Sequence, residues 1–233
     1  MTSTPQRLDS PTHIKRTAMR LYAERGVDGV TVREIAKAAG QKNHGAVGYH
    51  FGSKEALVKE IIADGARIID ERRCRLLDEA EANNGPRSID EVMDILIYPA
   101  LDPFEDGTDD CYMRFTAILN MTHRKLFISA IGNQWNKGYQ RCLAHLRRLM
   151  PNMPASIKNQ RLMFVGGYLS MMLALRQTAL SDTTREHSTW PSPETLRHIA
   201  YTAAAILKAP HDEEALARLP AGVPEESSLF ATG

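Results

Sequence analysis

The 233 residues exceed one typical domain and fall short of two full ones, so the length predicts one small and one medium domain with a core large enough to need neither disulfides nor metal. At 43% hydrophobic and 24% charged the composition is that of a soluble protein, and no apolar run approaches the ~18 residues of a membrane span. The net charge is only +1, yet residues 1–60 hold ten Lys/Arg against six Asp/Glu and the remainder nineteen against twenty-two, a basic front on a mildly acidic body.

Residues 1–9 are polar and expected to be disordered, and the opening MTSTPQRLDSPTH lacks the apolar stretch of a signal peptide, so a cytoplasmic location is expected. Ser10 followed by Pro11 reads as an N-cap and a proline at the first helical position. The helix beyond them carries Ile14, Ala18, Leu21 and Tyr22 at helical spacing and stops at Gly26. Thr31-Val-Arg-Glu34 is a capping box. It opens a helix whose apolar face is Val32, Ile35, Ala36 and Ala39, and Gly40 supplies the left-handed residue at its end. After a turn at 41–43 comes a short helix over about 44–50. Ser53 caps the next, which runs through Leu57, Ile61, Ile62, Ile69 and Leu77 to the breaker Asn83-Asn-Gly-Pro86.

Ser88-Ile-Asp-Glu91 is a second capping box, and Pro99 ends or kinks the helix it opens. Residues 101–110 form an acidic loop. Apolar periodicity then predicts helices over 111–132, 133–150 and 155–180, and Ser192-Pro193 caps a last one to about Lys208. The tail from Pro210 is proline-rich and acidic and expected to be mobile. No segment alternates like a strand, so the fold class is all-α. Cys74, Cys111 and Cys142 match no zinc spacing and cannot all pair, which suits small core residues in a reducing compartment.

Reading duplex DNA requires a short helix presented outward into the major groove and braced by a preceding helix. Residues 31–51 have that layout: a capped helix, a sharp turn with glycine, then a helix with little apolar surface of its own. Lys42, Asn43, His44, Tyr49 and His50 are donors suited to bases or phosphates, Ala46 or Val47 could touch a thymine methyl, and Phe51 is an inward anchor. The scattered His123, His145, His187 and His198 lack metal or catalytic spacing, and no nucleophile elbow or phosphate loop is present, so the chain is expected not to be an enzyme and to carry no cofactor or metal.

TVREIAKAAG followed by AVGYHFGSKEAL resembles the N-terminal DNA-binding domain of TetR-family transcriptional regulators, over about residues 14–62. The resemblance implies three helices in the DNA-reading domain, with the fourth beginning at 53–57. It implies that Thr31 holds a phosphate through its hydroxyl and nearby amides and that Arg33 lies on or near the backbone. Tyr49 and Lys54 would contact phosphates, Lys42, Asn43, His44 and Ala46 would face bases or flanking phosphates, and His50 would donate to the backbone or stay within the domain. Two departures stand out: one residue more than the commonest family spacing between Gly40 and Phe51, and Gly48 where many members carry an aromatic residue.

The division expected is an N-terminal arm and helix-turn-helix over 1–52, a larger helical ligand-binding and dimerisation domain over 53–209, and a flexible tail over 210–233. Two reading heads on half-sites about 34–36 Å apart favour a homodimer on operator DNA. The resemblance puts the dimer contact on the last two long helices, with stripes Leu162, Val165, Gly166, Leu169, Met172 and Leu173, and Leu196, Ile199, Ala200, Ala203, Ile206 and Leu207. It also implies a cavity for an apolar or aromatic small-molecule effector; the candidates for its lining are Tyr98, Phe104, Tyr112, Met113, Phe115, Met121, Trp135, Tyr139, Met163 and Phe164. A ligand-released repressor is the leading expectation. A regulator without a ligand, or a helical metabolite-binding protein that has lost DNA binding, are the alternatives.

Overall fold

The computed structural model describes residues 10–43, 45–107, 110–132, 134–212 and 214. The opening nine residues and nearly all of the tail, for which disorder was expected, lie outside the described set. Within it every regular element is helical: α1 (Ser10–Arg25), α2 (Val32–Ala38), α3 (Ala46–Phe51), α4 (Lys54–Ala82), α5 (Ile89–Ile97), a 3₁₀ turn at Tyr98–Ala100, α6 (Tyr112–Thr122), α7 (Arg124–Ile131), α8 (Lys137–Leu149), α9 (Ala155–Ser181) and α10 (Pro193–Lys208).

The helix ends follow the local chemistry. Gly26, Gly40 and Gly52 take positive φ of 71°, 63° and 75°, which an L side chain resists, and each closes a helix of the N-terminal unit. After α2 the amides of Gly40 and Gln41 reach back to the carbonyls of Lys37 and Ala36, the 5→2 and 6→1 bonds of a Schellman motif. Ser53, Ser88 and Ser192 each accept an amide at the start of α4, α5 and α10. Three expectations shift. Ser10 is already helical, and its hydroxyl donates to the Gln41 side chain instead of capping. Glu91 bonds the amide of Arg87 rather than that of the cap residue Ser88. The helix expected over 111–132 breaks at His123, whose ring sits 3.3 Å from Asp28 in the loop after α1. Periodicity runs across that break because one residue outside the helix barely alters the phase of the apolar face.

α1 packs on α2, α4 and α6, and α3 on α4. α4 then continues into the body, where α7 and α8 lie against it. α5 joins α8 to α10, and α9 lies between α6 and α10. The first turns of α4 bury Leu57, Val58, Ile61 and Ile62 beneath the N-terminal helices, and Ile69, Asp70 and Leu77 face the body. One continuous helix therefore serves both cores. Cys111 and Cys142 are buried, and burial pushes their thiols up to about 12 and about 11, so they stay protonated as small apolar groups. A Cβ at Gly166 would lie 3.4 Å from the Tyr139 hydroxyl, an ordinary contact, and one at Gly167 would meet no atom within 4 Å.

Candidate nucleic-acid interface

The brace helix α2 starts on a complete capping box. The Thr31 hydroxyl accepts from the Glu34 amide at 3.2 Å, and the Glu34 carboxylate accepts from the Thr31 amide and hydroxyl at 2.7 Å each. Arg25, at the end of α1, donates to the same carboxylate at 2.9 Å. These donors stabilise the charged form and hold the Glu34 carboxyl down at about 2, the Thr31 amide contributing most. Both donors of Thr31 that would serve a phosphate are thus engaged by Glu34 in the free protein.

The enlarged turn is built from its own side chains. Asn43 Oδ1 accepts the Gly45 amide at 2.8 Å, and the Asn43 carbonyl accepts the Ala46 amide at 3.1 Å, so Asn43 sets the entry to α3. Gln41 donates to the Ala39 carbonyl at 3.2 Å and accepts from Ser10, which ties the turn to the start of α1. Lys42 is exposed, and His44 lies outside the described residues.

α3 divides by face. Ala46, Val47 and Phe51 are buried against the N-terminal core, whereas Tyr49 is 85% exposed and His50 is exposed beside it, with ring centroids 5.0 Å apart. Ala46 was expected to meet bases, and Val47 was its alternative for a thymine methyl. Both turn inward, because a six-residue helix needs every apolar group it has to stay seated. Lys54, at the first position of α4, is half-buried, and Thr31 and Arg33 are exposed. The exposed Lys37, four residues after Arg33 and so on the same face of α2, extends the basic side. Sequence reading passed over Lys37 although that spacing marks it. Gln41 carried no comparable signal, because its role depends on Ser10 being close in space.

The ten effector-lining candidates do not converge. Tyr112 and Phe115 are core residues at the seam with the N-terminal unit: Tyr112 donates to the Ile62 carbonyl at 2.8 Å, and Phe115 stacks on Tyr22 with centroids 6.0 Å apart. Phe104 packs edge-on to Tyr112. Met113, Trp135, Tyr139 and Met163 are half-buried, and Tyr98, Met121 and Phe164 stand at the surface. One cleft, of about 210 Å³, lies between α1 and α4 with Phe104 at its edge. Another, of about 330 Å³, lies between α9 and α10 beside Trp190, and none of the ten lines it. The stripes assigned to the dimer contact are also largely used within the protomer: Leu162, Val165, Leu169, Leu173, Leu196, Ile199, Ala203 and Leu207 are buried. Phe164, Met171 and Leu175 on α9 and Tyr201 on α10 are exposed instead.

No helix among the described residues is long and apolar enough to cross a membrane. Residues 14–61 match the family model described as bacterial regulatory proteins, tetR family. The chain is 39% identical over 71 residues to the HTH-type transcriptional repressor AcnR of Corynebacterium glutamicum, covering 27% of this chain and 37% of that protein. It is 47% identical over 51 residues to the HTH-type transcriptional repressor KstR2 of Rhodococcus jostii, covering 22% and 24%. These matches span less than two fifths of the curated relatives' length. Over the longer range the fold is like the crystal structure of the TetR family transcriptional regulator PfmR from Thermus thermophilus, with a TM-score of 0.55 at 17% identity over 85% of this chain and 99% of that one. A capped brace helix, a second short helix split into buried and exposed faces, and the match over 14–61 agree: residues 14–61 form a helix-turn-helix segment similar to that of the tetR family of bacterial regulatory proteins.

Proposed function

We propose that the chain is a sequence-specific DNA-binding transcriptional repressor that works in the cytoplasm as a homodimer on double-stranded operator DNA. The observation that carries this reading is the outward face of α3, where Tyr49 and His50 stand exposed while Val47 and Phe51 anchor the helix from within, with the exposed Lys42 in the turn before it and the half-buried Lys54 at the start of α4. Tyr49, Lys54 and Arg33 serve phosphates, and Lys42, Asn43 and His44 serve base edges or flanking phosphates. For Thr31 to hold a phosphate, Glu34 must release its donors. The basic surplus of residues 1–60 supports the same face. The relatives named as repressors favour repression over activation.

The exposed Phe164, Met171, Leu175 and Tyr201 support the homodimer, since they form an apolar face that one protomer leaves uncovered. Residues 1–52 act as the reading domain and 53–209 as the dimerisation and effector domain. The effector is an apolar or aromatic small molecule that prefers the state with the heads apart. A 10–100-fold preference, about 1.4–2.7 kcal/mol, is enough to weaken operator binding appreciably.

The test is a mobility shift of the DNA upstream of the chain's own gene across a salt series. Affinity is expected to fall steeply as salt rises. Lys54→Ala is expected to weaken binding to all sequences and to lower the salt slope by about one. Operator binding untouched by both Lys54→Ala and Tyr49→Ala overturns the contact assignment, and absence of any shift at low salt overturns the function.

A further inference from the structure

The acidic loop that follows the 3₁₀ turn is bonded at both ends to helices of different function. Its centre is Asp102, whose carboxylate accepts the amides of Asp106 at 2.7 Å and Gly107 at 2.8 Å. The Asp102 amide donates to Asp110 Oδ2 at 3.1 Å, so the loop is closed on itself. From α4, Arg72 donates to the carbonyls of Pro99 and Leu101 at 3.4 and 3.3 Å. At one end Asp106 meets the Arg16 guanidinium of α1 at 3.3 Å, and the Phe104 ring lies on the same guanidinium, 3.6 Å from its centre. At the other end the buried Asp110 accepts from Gln177 of α9 at 2.5 Å, and Gln177 in turn accepts the Arg114 amide of α6 at 2.9 Å. Gln177 is a buried amide on a helix whose other buried positions are apolar, so its partners fix it in place.

We propose that the bonded cluster of Asp102, Phe104, Asp106, Gly107 and Asp110 acts as a strap that couples α9 to α1, so that the setting of the α9–α10 pair biases the setting of the N-terminal head. Hydrogen bonds weaken steeply with small displacements, so the two ends move together or the bonds break. An apolar seam slides more readily, and α6 supplies that softer connection between the same two helices. The burial that pushes the Asp110 carboxyl above its ordinary range also strengthens the bonds it accepts. The use of the strap rests on the regulator reading. Its mechanics do not.

The test is residue-resolved amide exchange in the full chain without DNA, so its failure is separate from a failure to bind an operator. The variants are Arg16→Met, Gln177→Leu and the two combined. The amides read are those of Asp106 and Gly107, whose acceptor is the Asp102 carboxylate; Arg16 pairs with Asp106, whereas Gln177 bonds Asp110 and the Arg114 amide and neither reported residue. Gln177→Leu is expected to speed their exchange about tenfold, the effect of losing a hydrogen bond to a charged group. The double variant is expected to match the faster single within about twofold, because a strap cut at one end transmits nothing more. Factors that multiply, as for independent sites, overturn the proposal, and so does Gln177→Leu leaving both amides unchanged. If Gln177→Leu fails to fold, Gln177→Glu keeps the size and the acceptor for Arg114 while placing a carboxylate against Asp110. It is expected to release the same amides, and protection unchanged in it overturns the strap equally.

Discussion

At Glu34 three donors converge on one carboxylate, and the consequence is a pH signature. Its folded pKa of about 2 lies below the ordinary 4.5, so the stabilisation is complete above about pH 4.5 and is lost as pH falls through about 2. Thermal unfolding of the native chain and of Glu34→Gln should therefore differ most above pH 5 and converge towards pH 2; a constant difference across that range refutes the assignment. Gly65 carries a steric argument of the same precision. A Cβ there would lie 2.3 Å from the Tyr112 ring, and the ring cannot retreat because it is buried with its hydroxyl bonded to the Ile62 carbonyl. Gly65→Ala is expected to cost about 1–3 kcal/mol of stability in denaturant unfolding, the usual penalty of overpacking. Neither effect is visible in the sequence in the same degree. The Thr31–Glu34 spacing announces the capping box, but Arg25 joins it through the loop between α1 and α2. Gly65 sits in an unremarkable stretch of helix and acquires its meaning from Tyr112, nearly fifty residues away.

At the scale of elements, α3 is a short helix with little of its own to hold it. It has six residues, no side-chain cap at its start, and Gly48 in its middle. A Cβ at Gly48 would meet no atom within 4 Å, and the position is an ordinary helical one. Gly48→Ala is therefore expected to stabilise the free protein, by up to about 1 kcal/mol from helix propensity alone, seen as a raised unfolding midpoint. Loss of operator affinity in the same variant would show that the duplex approaches the backbone there, whereas full affinity would show that Gly48 only weakens the helix. The turn before α3 illustrates why element boundaries were harder to read than element existence. Asn43 supplies the turn with its own Oδ1 acceptor, so the helix starts at Ala46 rather than at residue 44. The break at His123 has the same origin: contact with Asp28 belongs to a neighbouring element and leaves no trace in the periodicity.

Across the whole molecule the question is what covers the outer face of α9. Phe164 is 55% exposed, Leu175 42% and Tyr201 67%, on two helices whose opposite faces are fully used inside the protomer. In a two-fold assembly this face meets the same face of the second copy, so Leu175→Glu would bury one unpaired charge on each protomer. Sedimentation of that variant is expected to give a monomer at micromolar concentration where the native chain gives a dimer. A native chain that sediments as a monomer at that concentration removes the dimer.

The sequence by itself determined the elements whose cause is local. Glycines at positive φ, serine and threonine caps, and apolar groups at helical spacing fixed nearly every helix and the reading motif, because these signals act within about four residues. It also carried the similarity to the tetR family over residues 14–61, where cap, turn and second helix keep their order. Tertiary structure decided which face of each helix is inside. Along α9 apolar groups occur on several sides, so one periodic stripe does not say whether it meets α6 and α10 or a second copy, and the stripe assigned to the partner turned out to be core. It decided equally that Ala46 points inward, that the aromatic residues of the body scatter between seam and surface, and that an acidic loop joins α1 to α9. Each of these depends on groups far apart in the chain, and no local periodicity records them.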